Sequence, residues 1–292
     1  MPEPTREVYE GPSCLLPELP MMGLNQFSTA WVPGLPAHSH SDLFEIFFLE
    51  RGQLEWWTET ETHLVSAGDV YLNRPGENHG SVGYSMKPCS YFWLQLDARQ
   101  DCFLPGIPRR HAATLFEALA GLESRCFGVS DEVKVHFQRL LHEARVRWQS
   151  PHDTLHQTLC PLAARSNLLL LLVALLRDAQ RAVPRPPISP LIRQAQNFIA
   201  AHLEDEISPA RLAAACELSP SHFHERFVAE TGFTPHTYIT RQRIEAAKIL
   251  LKEGAHSIAE IAFRVGFSSS QHFATVFKKI EGISPSRFLR TV

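Results

Sequence analysis

Three histidines and a glutamate, His38, His40, Glu45 and His79, stand where a folded chain could gather them around one point. His38-Ser-His40 in an extended strand puts both imidazoles on one face, because side chains alternate with a period of two. Glu45 heads the run Glu-Ile-Phe-Phe-Leu, and His79 follows the turn Arg74-Pro-Gly76. Imidazole nitrogens with a carboxylate oxygen form the donor set of a divalent metal ion such as zinc. The same groups can instead hydrogen-bond a polar small molecule with no metal, and both readings stay open. Trp56, Trp57 and Trp93 offer flat faces for the C–H surface of a sugar, while Arg74 and Gln95 offer hydroxyl contacts. Tryptophans could equally fill the core. The expected ligand-binding site is His38, His40, Glu45, Arg74, His79, Trp57, Trp93 and Gln95; no residue is assigned a catalytic role.

These residues need a scaffold that brings them together. Residues 20–105 consist of short apolar runs broken by Gly, Pro and Asn, the pattern of an antiparallel β-barrel or sandwich. Residues 110–182 read as helices. Ser130 can cap one carrying Val133, Phe137, Leu140, Leu141 and Ala144, and a second runs from about Thr158 to Ala182. The second is apolar on more than one side, so it is either buried or part of a homodimer interface. Val183-Pro-Arg-Pro-Pro-Ile-Ser-Pro cannot continue a helix, which makes 183–189 a stiff linker. The expected fold class is α+β: residues 1–182 a barrel with helices behind it, residues 190–292 an all-α domain.

That last domain carries one pattern twice. Ser208 to Val228 aligns with Ser257 to Lys278: Leu212 with Ile261, Ala213 with Ala262, Phe223 with Phe273, Phe227 with Phe277, Gly232 with Gly282, Pro235 with Pro285. The offset is about 49 residues before the turn and about 50 after it, so the second copy has one extra turn residue. A short helix, a tight turn and a second helix can place that second helix in a DNA major groove. Ser208 and Ser257 are N-caps by type. The outward positions are Ser221, His222, His224 and Glu225 in one copy, and Gln271, His272, Ala274, Thr275 and Lys278 in the other. A plain helical bundle would not need the repeat.

Residues 190–292 resemble the DNA-binding domain of the AraC/XylS family of bacterial transcription regulators. The resemblance rests on Leu218-Ser-Pro-Ser-His-Phe223, Tyr238 through Arg243-Ile-Glu-Ala-Ala-Lys248, Ile258 through Phe267, and Phe277 through Arg287. It implies a long helix between the two motifs, here Tyr238 to Lys252, and two successive major grooves read on one face of double-stranded DNA. It places base reading on Ser221, His224 and Glu225, and on Gln271, Ala274 and Thr275. Ser221 and Glu225 depart from the basic or aromatic residues usual there, so the first helix should read bases more weakly; a glutamate among phosphates costs affinity. The His/Glu set resembles the two metal motifs of cupins, with Pro-Gly in place of Pro-x-Gly and altered spacing before the first His. Cupin domains are the common sensor half of this regulator family, which implies a sugar or related metabolite as effector, a homodimer, and RNA polymerase as a further partner.

Composition narrows the alternatives. The 292-residue chain suits two domains and carries a net charge of −3. From Pro190 onward there are 12 Lys and Arg against 10 Asp and Glu; the rest has 16 against 21. A mildly basic module joined to an acidic one suits moderate, salt-sensitive DNA binding rather than a histone-like coat. Six scattered cysteines without a C-x-x-C imply reduced thiols. Met1-Pro-Glu-Pro is no secretion signal, and the longest apolar run, Leu168 to Leu176, is too short for a bilayer span, so a cytoplasmic protein is expected. The rival readings are a metal-dependent cupin enzyme fused to a DNA-binding module, with dioxygenase, isomerase or epimerase chemistry, and an architectural DNA-binding protein with no ligand.

Overall fold

The computed structural model describes residues 5–27, 35–81, 88–99, 104 and 106–290. The chain divides into two compact units, residues 1–186 and 187–292.

In the first unit the strands are β1 (Thr5–Glu10), β2 (Met21–Phe27), β3 (Leu43–Arg51), β4 (Gln53–Thr58), β5 (Thr62–Ser66), β6 (Asp69–Asn73), β7 (His79–Ser81), β8 (Cys89–Asp97) and β9 (Cys126–Gly128). Among the described residues six of them form an antiparallel sheet in the order β1-β2-β8-β3-β6-β9, and β5-β4-β7 form a second sheet. The strand region therefore extends past the expected 20–105 at both ends. β1 and β9 are short edge strands recruited by pairing with β2 and β6, which no local pattern announces.

Period-two alternation gives the larger sheet two apolar faces. Phe47 and Leu49 of β3, Tyr71 of β6 and Cys89, Tyr91 and Trp93 of β8 turn toward Leu54, Trp56 and Val65 of the smaller sheet. Phe44, Ile46, Phe48, Phe92, Leu94 and Leu96 turn the other way, onto the helices. Those helices are α1 (Arg109–Ala120), α2 (Asp131–Gln149) and α3 (Thr154–Arg181). Phe137 of α2 stacks on Phe48 at 6.2 Å, and Ala164, Leu168, Leu171, Leu172 and Leu175 of α3 are buried in the same core.

Helix α3 starts four residues earlier than Thr158. A start there would put Pro161 in the first turn, where its missing N–H is harmless; the helix instead runs through Pro161 from an N-cap on Asp153. At 28 residues it is long and apolar enough to cross a membrane by length and composition, but under half of its most apolar window is buried, on the face that covers the sheet. The other face leaves Leu155, Leu159, Leu162 and Leu170 exposed. Their spacing of four, three and eight residues keeps them on one side of the helix.

The Pro-rich segment 183–189 makes backbone contacts at its start. Pro184 bridges Phe127, and the Arg185 N–H donates to the Cys126 carbonyl at 3.0 Å, which extends the sheet edge beyond β9. Ile188 is already buried in the core of the second unit, and Ser189 caps its first helix. Cys102 lies outside the described residues; the other five cysteines are free and buried.

The second unit is all helical: α4 (Pro190–Ala201), α5 (Pro209–Ala215), α6 (Pro220–Thr231), α7 (Pro235–Glu253), α8 (Ile258–Arg264), α9 (Ser270–Glu281) and α10 (Pro285–Leu289). Ser208, Ser219, Ser257 and Ser269 each accept a backbone N–H as N-caps. Gly232 and Gly282 end α6 and α9 in the left-handed conformation, and Pro235 and Pro285 open the next helices. The turns run from Cys216 to Ser219 and from Val265 to Ser269, so the extra residue lies in the second turn. Both turns close alike, with the Leu218 N–H on the Ala213 carbonyl and the Phe267 N–H on the Ala262 carbonyl.

Candidate functional site

The four candidate ligands converge. One ligand atom from each of His38, His40, Glu45 and His79 lies within 4.8 Å of the others. The route is not the one the His-x-His spacing suggests, because His38 and His40 do not share a strand. His38 forms an isolated two-way bridge with His79, each N–H donating to the other's carbonyl at 3.1 and 2.9 Å, and His40 sits in the extended connection before β3. Glu45 projects from β3 beneath them.

The second nitrogens of two rings fix how the first ones point. His38 Nδ1 lies 2.8 Å from the Pro36 carbonyl, and His79 Nδ1 lies 2.8 Å from the Glu77 carbonyl. Each carbonyl needs an N–H there, which leaves Nε2 of the neutral ring as a lone pair aimed at Glu45. Yet His79 Nε2 is 2.9 Å from Glu45 Oε2, and His38 and His40 Nε2 are 4.0 and 3.7 Å from the same oxygen. His79, 1% exposed, faces an acceptor at each ring nitrogen, the Glu77 carbonyl at Nδ1 and the Glu45 carboxylate at Nε2. His38, His40, Glu45 and His79 would hold a divalent ion, which would supply Lewis-acid positions at this point. Three imidazoles and a carboxylate gathered within 4.8 Å are the donor types and number that would hold such an ion. Burial also lowers the His40 pKa, which favours the neutral ring that ligates.

Beside this cluster lies a cavity of about 220 Å³ lined by Asn25, Phe47, Tyr91, Trp93 and Gln95 of the larger sheet and Trp56 of the smaller, with exposed Arg6 among the lining residues. Register explains the lining. Glu45 pairs with Asn73 and Gln95, and Gln95 with Met21, in one row across four strands. The next inner row holds Tyr71, Phe47, Trp93 and Gly23. A Cβ on Gly23 would stand 3.1 Å from Trp93 Nε1 and collide with the Glu7 carbonyl at 2.2 Å, so glycine there leaves room for the indole. Trp93 Nε1 and Asn25 Oδ1 are buried without a protein hydrogen-bond partner, and the Tyr91 hydroxyl lies against the Asn25 side chain. Gln95 Nε2 lies 3.0 Å from His40 Nε2, joining the lining to the cluster.

Two expected ligand residues fall elsewhere. Trp56, not Trp57, faces the cavity: neighbours on β4 point to opposite sides, and Trp56 is the inward one, donating from Nε1 to Asn73 Oδ1 at 2.9 Å. Arg74 turns away, donating from Nη2 to the Leu122 carbonyl at 2.6 Å. Tyr91 and Asn25 were missed. Tyr91 shares the period-two face of Trp93 and Gln95 and was legible from it; Asn25 joins only through the β2–β8 pairing.

The second unit supplies two exposed helix faces. Phe223 and Phe227 of α6, and Phe273 and Phe277 of α9, are fully buried. Their spacing turns the other side of each helix to solvent. Ser221, His222, His224 and Glu225 are exposed on α6; Gln271, His272, Thr275 and Lys278 are exposed on α9, with Ala274 half-buried. Lys278 and Lys279 lie in the last turn of α9, whereas α6 carries Glu225.

A family described as a helix-turn-helix domain matches residues 212–291, and one described as a cupin domain matches residues 32–95. The MmsAB operon regulatory protein of Pseudomonas aeruginosa is 28% identical over 241 residues, covering 82% of this chain and 70% of its own. The HTH-type transcriptional activator RhaS of Salmonella schwarzengrund is 32% identical over 255 residues, covering 86% of each chain. Among solved structures, the C-terminal domain of AraT, a response regulator from Geobacillus stearothermophilus, is 32% identical, covers 36% of this chain and 88% of that one, and has a TM-score of 0.35. With relatives named as regulators across most of its length, the fused-enzyme reading gives way. A cupin domain ahead of two helix-turn-helix motifs makes this chain a member of the AraC family of DNA-binding transcription regulators.

Proposed function

We propose that this regulator senses a small hydroxylated metabolite, a sugar or close relative, at a divalent ion held by His38, His40, Glu45 and His79. The observation that carries the reading is the convergence of four ligand atoms of metal-binding type, from His38, His40, Glu45 and His79, all within 4.8 Å of one another. An ion such as zinc supplies Lewis-acid positions for a ligand's oxygens. Trp93 Nε1 and Asn25 Oδ1 have hydrogen bonds left to offer it, and unpaired buried polar atoms favour a ligand that satisfies them. Trp56 and Phe47 give that ligand apolar walls.

The exposed leucines of α3 support a homodimer through that helix, since a surface stripe of this kind is what a partner helix covers. The working place of a DNA-binding regulator is the cytoplasm, and a relative named as a transcriptional activator makes RNA polymerase a partner to test.

Elemental analysis of the full chain, purified without chelators or a metal-affinity tag, tests the centre of this reading. The expected result is about one equivalent of a transition metal per chain, with Glu45→Gln binding added zinc at least roughly tenfold more weakly. Less than about a tenth of an equivalent in the parent, together with no zinc binding by titration, would remove the metal.

A further inference from the structure

The segment 122–128 lies between the loop that carries His79 and the chain that leaves for the DNA-binding unit. On the loop side, Arg74 Nη2 donates to the Leu122 carbonyl at 2.6 Å, Arg125 Nη1 to the Glu77 carboxylate at 2.5 Å, and the Leu72 N–H to the Arg125 carbonyl at 3.0 Å. Glu77 is the common member. Its carboxylate also accepts the Arg74 N–H at 2.9 Å, and its carbonyl is the one facing His79 Nδ1 at 2.8 Å. Arg125 is largely buried, and its Nε pairs with Glu61 at 3.1 Å.

On the other side the chain returns from α3 to β9. Pro184 bridges Phe127, the Arg185 N–H donates to the Cys126 carbonyl at 3.0 Å, and Arg185 Nε reaches Oδ1 of Asp69 at 3.3 Å. Asp69 is buried and its other oxygen accepts the Ser66 N–H at 2.9 Å. Arg185 is two residues ahead of Pro187, where the second unit begins. Its side chain is half exposed, so this ion pair is a weak, adjustable hold rather than a fixed one.

We propose that residues 122–128 couple the metal-ligand loop to the interdomain segment, with Glu77 and Arg125 as positioning residues. An ion on His79 fixes the Glu77 carbonyl through Nδ1. Glu77 then fixes Arg125, and an ordered β9 holds Arg185. The inference rests on the metal reading above and adds a route by which occupancy reaches the chain entering the DNA-binding unit. A physical coupling of this kind requires one element biased by both sites, and β9 touches both.

Arg185 also supplies the reporter, because Pro184, Pro186 and Pro187 have no N–H and Arg185 carries the single amide of residues 184–187. Hydrogen exchange at that amide in the full chain, saturated with zinc or stripped with EDTA, reads the coupling directly. The expected result is exchange at least about fivefold slower with zinc, falling to no zinc effect in Arg125→Met and in Glu77→Gln at zinc concentrations where both are saturated. Glu77→Gln keeps the carbonyl and the side-chain shape, so it decides the matter if Arg125→Met does not fold. An Arg185 amide indifferent to bound zinc in the parent, or equally protected by zinc in Glu77→Gln, overturns the route while leaving the metal site standing. A parent that binds no zinc by titration overturns the metal reading and this inference with it.

Discussion

Glu281 in α9 shows how one residue can set the pH response of the DNA-binding unit. Its carboxylate has no exposed surface and lies 3.3 Å from Lys248 Nζ of α7, itself 5% exposed. Burial pushes its pKa up to about 7 against the pull of Lys248, with Glu245 pushing the same way as burial and Arg241 opposing it. A raised carboxyl pKa means that stability is complete below the unfolded value of 4.5 and is lost as pH rises through about 7. Glu281→Gln should therefore flatten the decline between about pH 4.5 and 7 in thermal melts of the full chain. Parent and variant profiles of the same shape would show that Lys248 keeps the carboxylate charged throughout. At this scale the sequence was informative where the signal was local. The types of His38, His40, Glu45 and His79 marked a set that converges, although by another route than a shared strand, and the outward residues of α6 and α9 are exposed as their helical spacing implies. Trp57 and Arg74 were misplaced because composition identifies a tryptophan or an arginine but not the side of a strand or turn it occupies. Glu281 and Lys248 gave no signal, since their pairing depends on how α7 and α9 pack.

The repeated element shows how the same turn is built from different residues. Glu217 and Gly266 occupy matching positions, with φ of 54° and 84°. The left-handed conformation costs a non-glycine residue roughly 1–2 kcal/mol, of which glycine's extra unfolded entropy takes back about half. Glu217→Gly should stabilise the first motif by about 0.5 kcal/mol. Gly266→Ala should cost about 2 kcal/mol or more, because its Cβ would stand 2.2 Å from the Leu203 carbonyl and 2.7 Å from the Arg243 guanidinium. Chemical denaturation of both variants checks the asymmetry; equal losses at the two positions would contradict it. The double motif was readable down to its caps and its extra turn residue because helix signals are local. The sheet was readable as a class but not in its limits. β1 and β9 are edge strands defined by partners far away in sequence, and α3 begins at a cap that Pro161 conceals.

At the scale of the whole molecule, one long helix and two reading helices decide what the chain can assemble with. Leu159→Glu places a charge in the exposed stripe of α3, and sedimentation equilibrium should show a dimeric parent and a monomeric variant. A monomeric parent at micromolar concentration would remove α3 as the contact. DNA reading tests the account most directly. Selection from a randomised duplex library by the full chain should enrich two half-sites about 10–10.5 base pairs apart on one DNA face. The half-site read by α9, with Gln271, Thr275 and Lys278 exposed, should be the sharper one. The site read by α6 should be broader, because Glu225 and Ser221 replace stronger readers. Gln271→Ala should relax one position of the sharp half-site by about 1–3 kcal/mol. Two equally sharp half-sites, one half-site alone, or no enrichment would contradict the account.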